Sequence, residues 1–475
     1  MTNPHAARVI LAALVGGTAL VLLTRPAKVS VSLSTRTGPN LAHRQARPLC
    51  RVVVVGAGFG GLNAASRLAG KPGIDLTVID SHNHHLFQPL LYQVATAALS
   101  PSDIASPLRG IIPATDHTRV LMETVTGIDT TSRRVVWHGG SVPYDQLIVA
   151  TGSSPSYFGH DDWARAAPGL KTLDDALQLR RHILLAFEKA SVADPAERRR
   201  LLTFVLIGGG PTGVEMAGSI AELARDLLKH DYDMPGTDAR IVLVEAGERV
   251  LPEFAPDLSR HAAEALSKLG VQIRVGTRVT GIEDGSVRLH GEILAADTVI
   301  WTAGNAATPV ADWLEAKPGH GGRVPVGADL SLAGHPDVHV IGDVSQANDA
   351  RGKPLPALAP VAKQQGRYVA DLILRRVRGN GRQTAFRYRD YGTLATIGRG
   401  QAVAEFGRVH LAGKIAWAVW AVAHIFFLIG FRNRVMVSAQ WAFAYATRQR
   451  ADRVIVDDAA GRLLPGGQPP VAKPG

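Results

Sequence analysis

The sequence predicts an α/β protein: two Rossmann-like dinucleotide-binding domains, followed by a C-terminal membrane-associating helical region. Three observations carry that reading. Four valines at 52–55 run into glycines at 56, 58 and 61. A second apolar run, Thr203–Ile207, leads into glycines at 208, 210 and 213. Residues 415–431 are apolar nearly all round, rich in tryptophan and closed by Arg432 and Arg434.

Residues 52–55 read as a strand buried on both faces, as in a parallel sheet. Each following glycine has its own task. Gly56 makes the tight turn, Gly58 lets backbone approach a pyrophosphate, and Gly61 lets the next helix pack on the strand. The start of that helix aims free N–H groups and the positive end of its dipole at phosphates. Residues 76–80 form the second strand. Its last residue, Asp80, lies about 20 residues past the glycines, where a carboxylate holds a ribose hydroxyl. Strand, glycines, helix, strand and acid in this order say far more than glycine spacing alone.

The chain's 475 residues allow about three domains, and 46% hydrophobic content suits sizeable cores. The single cysteine, Cys50, excludes an intrachain disulfide, a Cys-x-x-Cys redox pair and a cysteine-based zinc site. The net charge of +11 is concentrated in residues 1–50 and 363–450, so the middle is acidic by difference. Both basic regions flank apolar runs, which favours an anionic membrane surface as partner. No nucleic-acid module is visible, and no nucleic-acid partner is expected.

In chain order, residues 1–48 read as a basic and apolar extension. The apolar run at 9–23 is short for a span, and no small-residue cleavage site follows it. The greater positive charge after it favours a cytoplasmic side. An uncleaved anchor, an acid-poor transit peptide and a mis-chosen start codon are three open readings, with the folded part beginning near Pro48. Beyond Asp80, His82, His84 and His85 are expected to line a cofactor cleft, with no metal. Residues 135–137 and 146–149 read as strands. Thr151 and Gly152 then turn where a second backbone segment approaches a cofactor. Residues 169–190 read as a turn and a helix, and residues 197–200 as a charged surface loop.

The second unit repeats the design with Gly208, Gly210 and Gly213, and Glu245 tips its second strand. An acid there favours the free 2′-hydroxyl of NADH over the 2′-phosphate of NADPH, with Arg249 nearby as a competing signal. Glu215 either sits against the helix dipole or stands beside the nicotinamide. Residues 298–304 read as the return crossing into the first domain. Residues 338–343 form a strand ending in Gly342 and Asp343, a turn that offers a carboxylate to a ribityl or phosphate group. In residues 355–368 a loop enters a helix, where Gln364 and Gln365 are amide donors to a carbonyl substrate or solvent-facing side chains. Tryptophan and tyrosine with basic caps across 415–450 suit a bilayer interface, as monotopic insertion, a span or a buried dimer helix.

Two dinucleotide folds in one chain bring a flavin against a pyridine nucleotide, at the separation of about 3–3.5 Å that hydride transfer needs. With one cysteine, the electrons cannot leave through a disulfide. The membrane-seeking end points to a quinone.

The motifs are specific enough to name a resemblance. Residues 56–61, 83–96, 208–215, 342–343, 359–366, 391–398 and 417–434 resemble the type II NADH:quinone oxidoreductases, the non-pumping NADH dehydrogenases. The resemblance covers roughly residues 51–450. It implies FAD on Gly56, Gly58, Gly61, Asp80 and Asp343, beside the strand-end turns at Thr151, Gly152 and Gly342 that are also expected to bind cofactor. It implies NADH on Gly208, Gly210, Gly213 and Glu245, with Glu215 close to the nicotinamide. The family's Ala-Gln-x-x-x-Gln-Gln-Gly quinone motif maps to residues 359–366, with Pro360 in place of the first glutamine and Gln364 and Gln365 kept. Ser219 stands where many relatives have glutamate, with little expected consequence. The implied layout is an FAD-binding domain at 49–165 and 301–378, an NADH-binding domain at 166–300, a membrane-anchoring region at 379–460 and a disordered tail at 461–475. The expected location is the cytoplasmic face of the cell inner membrane. A homodimer is an open alternative. The competing functions are a soluble flavoprotein reductase of a ferredoxin-type carrier and a non-enzymatic FAD- and NADH-binding sensor.

Overall fold

The computed structural model describes residues 49–380, 384–447, 450 and 452–455. The expectations on residues 1–48 and on the tail from 461 lie outside the described residues. Cys50–Val55 (β1) carries the valines; branched and apolar on both faces, they suit a strand covered on both sides, and all four are buried. Phe59–Leu68 (α1) and Ile74–Asp80 (β2) follow. Thr118–Met122 (β3), Gln146–Val149 (β4) and the helix Leu173–Val192 (α2) come next. The second unit contains Thr203–Ile207 (β5), Pro211–His230 (α3), Arg240–Val244 (β6), Val271–Arg274 (β7) and Thr298–Trp301 (β8). The chain then returns through Ser331–Leu332 (β9), His335–Val340 (β10) and Ala359–Val377 (α4). It ends in Thr393–Gly398 (β11), Gln401–Phe406 (β12), Val409–Ala412 (β13), Gly413–Phe427 (α5) and Phe431–Thr447 (α6).

The first sheet runs β9-β10-β4-β1-β2-β3, parallel except for β9. The second runs β7-β6-β5-β8, parallel throughout. The first sheet therefore uses segments from before and after the second unit. Ser153–Pro155 and Asn305–Ala307, the outgoing and returning strands, pair antiparallel. Small residues set how closely the layers approach. A side chain on Gly366 of α4 would collide with the carbonyl of Gly60 in α1. A side chain on Gly218 of α3 would collide with the carbonyl of Ile397 in β11. That second approach seats the antiparallel meander β11-β12-β13 directly on the second unit.

Three expectations are corrected. Residues 197–200 are not a loop: Pro195–Leu201 is a helix. The Asp194 carboxylate accepts the amides of Ala196 and Glu197, and Pro195 fits the first turn. Residues 415–431 are not one helix: α5 stops at Phe427, and the chain turns at Gly430 with φ of +87° before α6. The fifteen residues of α5 span about 22 Å, short of a bilayer core of about 30 Å. No helix among the described residues is long and apolar enough to cross a membrane. Third, Trp420 and one basic cap turn inward. Trp420 is buried and stacks on Trp441, with ring centroids 5.1 Å apart. Arg450 is buried against Glu222 at 3.7 Å and donates to the Thr96 carbonyl at 2.6 Å, because an enclosed guanidinium needs both a counter-charge and acceptors. The outward face instead carries Ile415, Phe426 and Phe431, each about two-thirds exposed.

Candidate active site

The carboxyl ends of four neighbouring strands meet at the edge of the first sheet, the place where open α/β sheets bind ligands. β1 delivers Gly56, β2 Asp80, β4 Thr151 and Gly152, and β10 Gly342 and Asp343. Gly56 has φ of +90°, and a side chain there would run into the Ala150 backbone. A side chain on Gly61 would occupy the space of the Gly56 carbonyl. Gly58 faces open space, and no side chain caps the start of α1, so its first amides point outward unclaimed by a cap. The Asp80 carboxylate accepts from Ala57 N at 2.6 Å and His82 N at 2.8 Å, which fixes it beside the glycine loop. This cradle fits the pyrophosphate and ribose of a dinucleotide.

The second unit repeats that clasp. Gly208 has φ of +113°, and a side chain on Gly213 would strike the Gly208 carbonyl and come within 2.8 Å of Thr302 Oγ1. Gly210 faces open space. Glu245 accepts from Gly209 N at 2.5 Å and Gly247 N at 2.6 Å, as Asp80 does in the first unit. Arg249 donates to the Pro252 carbonyl at 2.8 Å.

The structure brings the remaining first-unit residues together by contacts that motif reading missed. Thr151 Oγ1 lies 2.6 Å from Thr308 Oγ1. Asp343 Oδ2 accepts from Ser153 Oγ at 2.8 Å, and Ser153 Oγ accepts from Lys171 Nζ at 3.2 Å. Gln365 is 1% exposed, and its Oε1 accepts from Gly342 N at 2.6 Å, so it holds the Asp343 turn. Gln364 clasps the backbone of Arg389, donating to its carbonyl at 2.8 Å and accepting from its amide at 3.0 Å. Pro360 sits in the first turn of α4, where a fixed φ suits a helix start. Of the histidines, buried His85 places Nδ1 3.0 Å from the Ala57 carbonyl, and burial pushes its pKa down to about 4, keeping the ring neutral. Among the described residues no His, Cys, Asp and Glu group is arranged to hold a metal.

Glu215 lies on the second turn of α3, half-buried between that helix and β11. Its Oε1 accepts from Thr396 N at 3.3 Å. Burial dominates and pushes its pKa up to about 8, against the opposing hydrogen bond. Buried Tyr92 is likewise pushed up, by burial first and by Glu215 second. Its hydroxyl accepts from Gln93 Nε2 at 2.9 Å, and Gln93 Oε1 accepts from Trp441 Nε1 at 2.8 Å. A chain of contacts thus joins the Glu215 region to α6. Ser219, expected to matter little, is buried with Oγ 2.7 Å from Thr96 Oγ1 and 3.3 Å from Arg450 Nη1.

Residues 50–366 match the pyridine nucleotide-disulphide oxidoreductase family. The chain is 41% identical over 431 residues to a type II NADH:quinone oxidoreductase of Mycobacterium tuberculosis, covering 86% of this chain and 91% of that one. The chain belongs to the type II NADH:quinone oxidoreductase family. A type II NADH:quinone oxidoreductase of Staphylococcus haemolyticus is 30% identical over 377 residues, covering 77% of this chain and 92% of that one. NDH2 from Plasmodium falciparum, solved in complex with NADH, has the same fold: the TM-score is 0.78 at 20% identity, covering 86% of this chain and 99% of that one. The family assignment bears out the α/β fold and the oxidoreductase class that the motifs predicted. In this type II enzyme the single cysteine, Cys50, leaves no cysteine pair for a disulfide.

Proposed function

We propose that the enzyme oxidises NADH on a bound FAD and passes two electrons to a membrane quinone, without pumping protons. The observation that carries this is the pair of like-built nucleotide clasps, at Ala57–Asp80 and Gly209–Glu245, in a chain that has one cysteine and an exposed apolar helix pair. Bound FAD supplies a ring that accepts hydride and releases its electrons two at a time. Gly56, Gly58, Gly61, Asp80, Thr151, Gly152, Gly342 and Asp343 hold it. Gly208, Gly210, Gly213 and Glu245 hold NADH, and the Glu245 carboxylate disfavours a 2′-phosphate. Glu215, protonated at neutral pH by its burial, holds a proton close to the nicotinamide end of the site. Residues 359–366 form the quinone end, where Gln365 acts through the Asp343 turn and Gln364 through Arg389. The proposed layout has FAD-binding parts at 49–165 and 301–378, NADH binding at 166–300 and membrane anchoring at 379–460, with β8 of the second sheet running across the 300/301 boundary.

The helix pair seats the enzyme on the cytoplasmic face of the cell inner membrane, lying in the interface rather than crossing it. Its outward Ile415, Phe426, Phe427 and Phe431, with exposed Arg432 and Arg434 alongside, match an interfacial helix in composition. Replacing Phe426 and Phe427 together by serine is expected to lower partition onto anionic vesicles about tenfold or more in co-sedimentation, while NADH oxidation with a short-chain soluble quinone stays near wild type. The functional reading itself is tested by steady-state oxidation of NADH and NADPH, with and without quinone, on flavin-loaded protein. Quinone-dependent turnover that favours NADH supports it. Turnover that needs a ferredoxin-type carrier instead overturns it.

A further inference from the structure

We propose that the Lys171 ammonium is a cofactor-facing positive charge that raises the reduction potential of the bound flavin. This rests on the proposed FAD site and adds a residue to it. Lys171 lies one position before Thr172, the N-cap of the twenty-residue α2. A cation is unfavourable there, next to the positive end of the helix dipole. The structure nevertheless pins it from three sides. Gln88 Nε2 donates to the Lys171 carbonyl at 3.1 Å, and the Lys171 amide donates to Asp175 Oδ2 at 2.9 Å. The side chain reaches into the first unit, where Nζ donates to Ser153 Oγ at 3.2 Å and that hydroxyl donates to Asp343 Oδ2 at 2.8 Å.

The arrangement is not a plain ion pair. The Ser153 hydroxyl stands between the ammonium and the Asp343 carboxylate. An ammonium has three donors, and among the described residues only Ser153 takes one. Burial pushes the Lys171 pKa down, and Asp343 opposes that shift. A desolvated, donor-rich cation is thus held one hydroxyl away from the carboxylate assigned to the flavin dinucleotide. A flavin dinucleotide bound on Asp343 would offer acceptor atoms to the two ammonium donors that Ser153 leaves. Hydride transfer moves two electrons and one proton from NADH, which leaves as NAD⁺, and the neutral ring gains one negative charge. A nearby ammonium stabilises the product over the reactant, so reduction becomes more favourable.

The test is the midpoint potential of the flavin in full-length holoenzyme, measured by equilibrium reduction with dithionite against a reference dye. It needs no NADH, so it separates this proposal from the functional reading: flavin that dithionite reduces but NADH does not would end that reading alone. Lys171→Met is expected to lower the equilibrium constant for two-electron reduction at least tenfold, which is a fall of about 30 mV. Lys171→Arg, which keeps the charge, is expected to stay within about threefold of wild type. A Lys171→Met potential equal to wild type overturns the proposal. So does a Lys171→Met protein that cannot take up FAD in excess while Lys171→Arg can, since the lysine would then act only by holding the cofactor.

Discussion

Gly61→Val is expected to yield protein without bound flavin. The added side chain would enter the space of the Gly56 carbonyl, and the glycine loop would have to open to admit it. Gly56 cannot give way, because its φ of +90° and its contact with the Ala150 backbone lock it between β1 and β4. Overpacking a rigid backbone contact costs about 1–3 kcal/mol or more. Here that cost falls on the loop proposed to receive the FAD pyrophosphate. The check is the ratio of flavin absorbance to protein absorbance after purification. Gly58→Ala is the matched control: its side chain would face open space, so its folding should be unaffected and any loss should be confined to flavin affinity.

The second large effect concerns Glu215 and has a definite sign in pH. Its pKa in the folded protein, about 8, lies above its value in the unfolded chain. At low pH both states hold the proton and the carboxyl costs nothing. As pH rises above the ordinary carboxylate range, the unfolded chain ionises and the folded one does not. Stability is therefore present at low pH and lost on the way up to about pH 8, at up to roughly 1.4 kcal/mol per pH unit. Glu215 keeps limited solvent access, so the total between pH 5 and 7 should be about 1–3 kcal/mol, measurable by urea unfolding. Glu215→Gln should flatten that dependence and stabilise the protein at pH 7 and above. The same substitution removes a titratable proton beside the proposed nicotinamide site. Quinone-dependent turnover should then fall by about a hundredfold, a typical share for a positioned acid or base, while flavin binding persists. The wild-type rate should decline as pH rises through about 8, and the variant should lose that limb.

Much of the nucleotide-binding frame was legible because it is encoded locally. A valine strand, glycines at fixed offsets and a strand-tipping acid need no knowledge of distant residues. The structure adds that Asp80 and Glu245 each tie back to the amide following the first glycine of their loop. What the sequence hid depends on tertiary approach. Lys171 resembles any lysine ahead of a helix cap, and only the fold brings it to Ser153 and Asp343. Arg450 reads as a basic membrane cap, yet Glu222 and Thr96 enclose it. Ser219 looks incidental until Thr96 and Arg450 close on it. The end of α5 was also concealed, since hydropathy runs unbroken through 415–431 while Gly430 turns the backbone. The cysteine count is the opposite case: a single cysteine removes disulfide chemistry at the level of composition alone.

The most direct measurement is anaerobic rapid mixing of the yellow holoenzyme with one equivalent of NADH, followed by a second mix with a short-chain quinone. The account predicts loss of the flavin absorbance on the first mix and its full return on the second, with one quinol formed per NADH consumed. Flavin that stays oxidised under NADH, or that is bleached but not restored by quinone, would contradict it.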